Sequence, residues 1–299
     1  MAISSVLPKI AKASAAMTTM CVGADVSHAA PGSEAGSMAA LTMSTNLECT
    51  RYAALCNTNG HRVEIITTAN INDCLGKLIK GFWVPVVGGS KLPDRILYFR
   101  DGVSEGQYQH VLDQEVKDMK ELIRGINPRA ATKFTVVVAS KRHHIRFFPA
   151  QGAGDRNGNP MPGTLVETGV THPFEFDFYL CAHSAIKGTA RPVHYHVLLN
   201  EAGMTAEELQ QLTYEHSYQY ARSTTPVSQF PAVYYAHLAS NRARSHENKP
   251  AVSSGKKETT EKTTEKAKTT TSSDKTPTEI PPLINMHNQL GIEYSMWYI

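Results

Sequence analysis

Tyr98-Phe-Arg-Asp-Gly-Val-Ser-Glu-Gly-Gln107 is the stretch on which the reading of this chain turns. An apolar run, Arg95-Ile-Leu-Tyr-Phe99, leads into it and reads as a buried strand. Asp101 then stands at the C-terminal end of that strand, beside Gly102, which permits a sharp turn. Strand ends of open α/β sheets are where ligands and metals collect. Further back, Thr18-Thr-Met-Cys-Val-Gly-Ala24 is a second apolar run, and it ends in Asp25. Two carboxylates at two strand tips suggest a divalent-metal site, since hard cations take oxygen ligands. Alone, the pair does not separate a nuclease from any other Mg²⁺ enzyme, and strand-end aspartates also cap turns.

Outward from these runs the pattern predicts a mixed sheet flanked by helices. After Asp25 comes a Pro-Gly-Ser loop (Ala30 to Gly36), then two strand-like runs, Ser37–Thr45 and Arg51–Asn57. Arg62 to Phe82 has helical spacing, and Val84 to Pro93 reads as a loop. Gln107 to Ile123 is amphipathic, with Val111, Leu112, Val116, Met119 and Ile123 on one face. Further strands are expected at Phe134–Val138, Phe174–Leu180 and Val193–Leu198. Gly152 to Gly163 reads as loop. Thr205-Ala-Glu-Glu208 matches a capping box that opens a helix, and Ala232 to His246 reads as a last core helix.

Composition narrows the class. The chain has 299 residues, 41% hydrophobic and 19% charged, as expected of ordinary globular protein. No run of 18 apolar residues occurs, so no membrane span is expected. The first residues hold a few lysines, many Ala and Ser, and no apolar core of a secretory signal. Five cysteines (Cys21, Cys49, Cys56, Cys74, Cys181) form no C-x-x-C pair. That predicts reduced, mostly buried thiols in a cytoplasmic protein, the nucleus being the other compartment they fit. Residues 251–278 hold six lysines against four acids and almost no large apolar side chain, so they carry +2 of the net +3. Such a stretch cannot bury a core and reads as disordered. Nucleic-acid binding must then come from a local patch.

Gly23-Ala-Asp-Val-Ser-His28 and the Tyr98–Gln107 stretch resemble the two aspartate motifs of the PIWI domain of eukaryotic Argonaute proteins. Ser140–Pro149, Thr171–His183, Gly188–Leu198 and Val233–Arg244 follow in that family's order. The resemblance runs from about Met17 to His246 and returns over the last residues. It implies a ribonuclease H-like α/β fold and a division into a segment 1–16, a PIWI domain 17–246, a low-complexity insertion 247–279, and a tail 280–299 docked on the domain. It also implies a catalytic tetrad: Asp25, Glu64, Asp101 and His237, with Asp25, Asp101 and His237 binding Mg²⁺ or Mn²⁺. The implied activity is two-metal cleavage of target RNA complementary to a small guide RNA, in RNA silencing. Silencing-complex proteins are implied as further partners. The N, PAZ and MID parts of a whole Argonaute find no counterpart here, and MID supplies most of the guide 5′ pocket. A non-catalytic RNA-binding module, or a truncated and interfering fragment, is therefore the competing expectation.

The resemblance also sorts the remaining polar residues. Glu64 near the start of the expected helix would otherwise read as a solvated first-turn acid. His194 and His196 alternate along a strand, so both face one side, a spacing that suits a metal. Asp177 lies in an aromatic run and would also pass as catalytic. The resemblance favours His237 and leaves Asp177, His194 and His196 as structural. Lys141-Arg-His-His-Ile-Arg146 is the densest basic cluster outside 251–278. Basic side chains and hydroxyls serve sequence-independent phosphate contacts, although a charged strand edge is also a guard against aggregation. The resemblance implies guide-backbone contacts by Lys141, Arg142, His183, Arg191, Tyr220, Arg222, Ser228, Tyr234 and Arg242, with Arg242 reaching the 5′ phosphate. Thr225 departs from the pattern, where relatives often carry a basic residue.

Overall fold

The computed structural model describes residues 17–248, 280–284 and 291–299. The expected segment 1–16 and nearly all of the low-complexity stretch lie outside the described residues. Among the described residues, eight strands form one sheet: β1 (Thr19–Ser27), β2 (Met38–Ser44), β3 (Tyr52–Thr58), β4 (Arg95–Arg100), β5 (Lys133–Ser140), β6 (Thr164–Val166), β7 (Asp177–Cys181) and β8 (Val193–Asn200). Their spatial order is β3-β2-β1-β4-β5-β8-β7-β6. β1, β4 and β5 run parallel, and the other pairings are antiparallel. Two parallel connections demand crossover helices. These are α1, residues 68–87, and α2, residues 105–126, each a continuous run of α turns with wider or tighter turns mixed in.

Period-two alternation builds two cores, one on each face of the sheet. Met20, Val22, Ala24, Ile96 and Tyr98 point toward α1 and α2 and pack on Ile71, Leu75, Val111 and Met119. Cys21, Leu97, Phe99, Phe178 and Tyr195 point the other way, toward α3 (Ala206–His216) and α4 (Pro231–Ala243). The expected capping box opens α3: Glu208 N–H donates to Thr205 Oγ1 (3.2 Å), and Thr205 N–H donates to Glu208 Oε2 (2.9 Å).

Several element ends differ from the sequence pattern. β1 continues to Ser27, so Asp25 lies within the strand and faces Ala40 of β2 in the register. α1 begins only at Thr68, capped by the Thr67 side chain, and it runs through Pro85 to Val87. The expected Val84–Pro93 loop is therefore half helix. Pro85 is tolerated because the wider local turns relax the ladder that a proline would break. β7 starts at Asp177, and Phe174, expected in the strand, is 92% exposed. The short edge strand β6 has no sequence signal.

α4 lies directly on β1. A Cβ added at Gly23 would come within 2.3 Å of the Ala232 carbonyl carbon and oxygen. The Thr42 hydroxyl donates to that same Ala232 carbonyl (2.8 Å) and locks the approach. Because the clash is with backbone, Gly23→Ala must displace the helix rather than a flexible side chain. We expect a loss of about 1–3 kcal/mol in urea unfolding. The C-terminal residues also touch the domain. Trp297 Nε1–H donates to the Ala54 carbonyl (2.9 Å), and Tyr298, 3% exposed, donates to the Tyr52 carbonyl (3.2 Å).

Candidate active site

The strand alternation that sends Ala24 and Arg100 toward α1 and α2 sends Asp25 and Asp101 toward α4. Asp25 is buried, at 5% exposure. Asp101 directly follows β4, and its N–H donates to the Ala24 carbonyl (3.1 Å), continuing the parallel ladder past the assigned strand. Gly102 then turns at φ +85°, and its N–H donates to Asp101 Oδ1 (2.7 Å). A Cβ at Gly102 would lie 2.9 Å from Glu64 Oε1 and 3.8 Å from Asp25 Oδ1. The turn is therefore flanked by two carboxylates as well as preceded by a third. His237, on α4, reaches Asp25 from above: Nδ1 is 3.0 Å from Asp25 Oδ2. Ser240 Oγ–H donates to the same oxygen (3.1 Å), and Asn241 Nδ2 is 3.1 Å from His237 Nε2.

Glu64 comes from the loop before α1, which corrects the expectation of a helix already under way at Arg62. Its carboxylate is held from two sides, by Arg100 Nη1 (3.1 Å) and by His28 Nε2 (2.8 Å). Arg100 Nη2 also donates to the Glu64 carbonyl (2.5 Å), and Arg100 Nη1 donates to the Asp101 carbonyl. The guanidinium is completely buried against the equally buried Glu115 (3.2 Å). Glu115 also accepts from Tyr98 Oη–H (2.7 Å) and from the Ile66 N–H (2.8 Å). Arg100 and Glu115 thus fix both ends of the loop that presents Glu64.

The two aspartates are electrostatically unlike. Burial alone would raise the Asp25 carboxyl, but His237, Arg100 and Ser240 outweigh it and hold Asp25 below its ordinary value. Asp101 is raised, first by burial and then by the negative charge of Asp25; Gln229, the Gly102 N–H and Arg100 offset this only in part. His237 is raised, chiefly by its hydrogen bond to Asp25. An imidazole so raised keeps its proton to higher pH. Its bonus to stability is complete below the unfolded histidine value and is lost as pH rises through the folded one. We expect Asp25→Asn to bring the His237 titration down, read by NMR of the imidazole. An unchanged midpoint would remove Asp25 as its cause.

A basic rim adjoins this cluster. Lys141 follows β5, and its ammonium donates to Ser228 Oγ (2.6 Å). Burial and then Arg191 lower Lys141, with Asp101 opposing. His183 is pushed down to about 4 by burial and by Lys141. These influences bring Lys141, Arg191, His183 and Ser228 into one neighbourhood beside Asp101. Arg142, exposed, acts on His237. Tyr220 is buried, packed against Tyr234 (4.8 Å) and Tyr235 (5.2 Å), with Arg222 acting on its hydroxyl. Arg242 is exposed in the last turn of α4. Asp177, His194 and His196 lie elsewhere, on the opposite face of the sheet. Sequence reasoning missed Arg100: a charge inside an apolar strand gave no hint of two carboxylate and two carbonyl partners.

The residues suit a hard divalent ion. Two carboxylates with a third at hand, plus one imidazole, form an oxygen-rich donor set. The like-charge conflict between Asp25 and Asp101 is one that a cation relieves.

Comparison with known proteins gives the same frame. The family model described as Piwi domain matches residues 1–248. The chain is 45% identical over 238 residues to protein argonaute 12 of Oryza sativa subsp. japonica, covering 76% of this chain and 23% of that protein. It is 41% identical over 227 residues to protein argonaute of Schizosaccharomyces pombe, covering 76% and 27%. Among solved structures, Kluyveromyces polysporus Argonaute with a guide RNA matches at TM-score 0.69 and 34% identity, covering 76% of this chain and 28% of that one. The C-terminal lobe of a budding yeast Argonaute matches at TM-score 0.72 and 34% identity, covering 80% and 49%. The chain spans about a quarter of the length of these curated relatives. No helix among the described residues is long and apolar enough to cross a membrane. The chain belongs to the Piwi domain family of the Argonaute proteins and has their ribonuclease H-like fold.

Proposed function

We propose that this chain carries the cleavage centre of a small-RNA-guided endoribonuclease acting on complementary RNA. The observation that supports it most is the convergence of Asp25, Asp101, Glu64 and His237 around the Gly102 turn, from four separate segments, within a Piwi fold. Asp25, Asp101 and His237 would hold Mg²⁺ or Mn²⁺, with Glu64 tethered alongside. Bound there, such ions lower the pKa of an attacking water and stabilise charge on the leaving 3′ oxygen. Hydrolysis adds water across the phosphodiester and leaves a 3′ hydroxyl and a 5′ phosphate.

The protein's own groups do the rest. The Arg100–Glu115 pair keeps Glu64 at the turn, so little reorganisation is needed when substrate arrives. Lys141, Arg191, His183 and Ser228 form a cationic, hydroxyl-bearing rim against which a guide backbone would run, with Arg142 next to His237. Burial and mutual repulsion of Lys141 and Arg191 resemble the strain between the aspartates: each is relieved by a counter-charge, here phosphate. The relative crystallised with a guide RNA supports that reading of the rim.

The test is cleavage of a labelled RNA complementary to an added 5′-phosphorylated guide, with Mg²⁺ and then with EDTA. A cut opposite the middle of the guide, lost with EDTA, is the expected result. If a folded chain gives no cut even when joined to the remaining domains of an Argonaute, the reading fails.

A further inference from the structure

The sheet face turned away from α4 carries a second group of ligating side chains. In the β7–β8 register Asp177 faces His196 and Tyr179 faces His194, and all four point toward the start of α2. The ligating atoms of Asp177, His194 and His196 lie within 4.8 Å of one another. His194 Nε2 is 2.6 Å from Asp177 Oδ2, and His196 Nε2 is 2.8 Å from Glu175 Oε2. Asp177 and His196 are buried, at 6% and 7% exposure. Glu175 is half exposed and can rotate.

We propose that Asp177, His194 and His196, with Glu175 as fourth ligand, form a structural Zn²⁺ site distinct from the Asp25–Asp101 centre. Two imidazoles with carboxylates are a donor set for Zn²⁺, whereas Mg²⁺ and Ca²⁺ favour sets dominated by oxygen. The ligands are already oriented by neighbours. The His194 ring stacks on Tyr179 at 4.3 Å and meets the edge of His143 at 6.4 Å. The Asp177 Oδ1 atom accepts from the His172 N–H (2.8 Å), leaving Oδ2 for the metal. Tyr108 packs against His196 (4.9 Å) and closes the site from α2. Two carboxylates, Glu175 and Asp177, each meet an imidazole there, and a dication would balance their charge. Insertion of Zn²⁺ at about 2.0–2.2 Å from each ligand would spread the two imidazole–carboxylate contacts to roughly 3.3 Å. Small rotations of Glu175 and the imidazoles suffice. The metal would tie the loop before β7 to β8 and, through His143, steady the Lys141–Arg146 segment behind the basic rim.

The test uses the untagged chain, stripped with EDTA, titrated with Zn²⁺ in excess Mg²⁺ by calorimetry and with Co²⁺ by visible absorption. One tight equivalent and a tetrahedral Co²⁺ band are expected. The paired change His194→Asn and His196→Asn should weaken binding by about 100-fold or more. Asp101→Asn should leave it unchanged, which separates this site from the cleavage centre. Absence of tight binding to the unaltered chain overturns the proposal, as does equal binding by the paired variant. Should that variant not fold, the His194 and His196 ¹⁵N shifts of the unaltered chain decide: no change on adding Zn²⁺ also overturns it.

Discussion

Asp101→Asn is expected to lower guide-directed cleavage by about 10³-fold or more, equivalent to roughly 4 kcal/mol of transition-state stabilisation. The substitution keeps shape, the turn at Gly102, and a side-chain oxygen for the Gly102 N–H. What it removes is one negative charge at a point where charge-stabilising groups act in a poorly solvated setting. The metal-free protein should respond in the opposite sense. The Asp101 carboxyl is raised above its unfolded value by burial and by Asp25. At neutral pH the ionised form therefore costs stability, and that cost fades as pH falls through the folded value. A neutral Asn abolishes the cost, so Asp101→Asn should melt at or above the temperature of the unaltered chain in EDTA. The combination of cleavage lost and stability kept is the signature of a charge held for function. Unchanged cleavage in a folded variant would sink the metal-site reading. A clear loss of stability would show Asp101 to be a structural turn residue instead.

Much of this centre was legible because it rests on short-range regularities. Apolar alternation identifies β1 and β4, and the same alternation places Asp25 and Asp101 on one face. Helical spacing finds α4, while His237 on it was singled out by the family resemblance alone. Other parts depend on contacts that no local pattern encodes. Glu64 was expected at a helix start because Ile and Leu recur after it, but Thr67 caps the helix and leaves Glu64 in a loop anchored from elsewhere. β1 outran its apolar run because its last residues pair with β2 alone. His194 and His196 showed their common side, yet Asp177 joins them only through the β7–β8 register, which a single strand cannot reveal. Arg100 belongs to the same class. Its meaning lies in Glu115, fifteen residues on, and in Glu64, thirty-six residues back.

Arg100→Met is the substitution expected to cost the fold most, about 3–5 kcal/mol in urea unfolding, because it leaves a buried charge without its partner. Arg100 and Glu115 are both fully buried at their side chains. Methionine fills much of the volume but donates nothing. Glu115 would retain the Tyr98 hydroxyl and the Ile66 N–H, two neutral donors in place of a cation. The Glu64 and Asp101 carbonyls would each lose a donor. The loop carrying Glu64 would then be held by Glu115, by Gln114 on the Ile66 carbonyl, by His28 and by its own short-range contacts, so cleavage should fall even where the variant is folded. The paired change Arg100→Met with Glu115→Leu separates the two effects. With no charge left stranded, much of the stability should return, since a well-packed apolar replacement of a buried ion pair is often neutral. Cleavage should stay low, because Glu64 still lacks the Arg100 guanidinium that fixes its carboxylate and carbonyl. If the paired variant recovers cleavage along with stability, Arg100 serves the core alone and Glu64 is positioned without it.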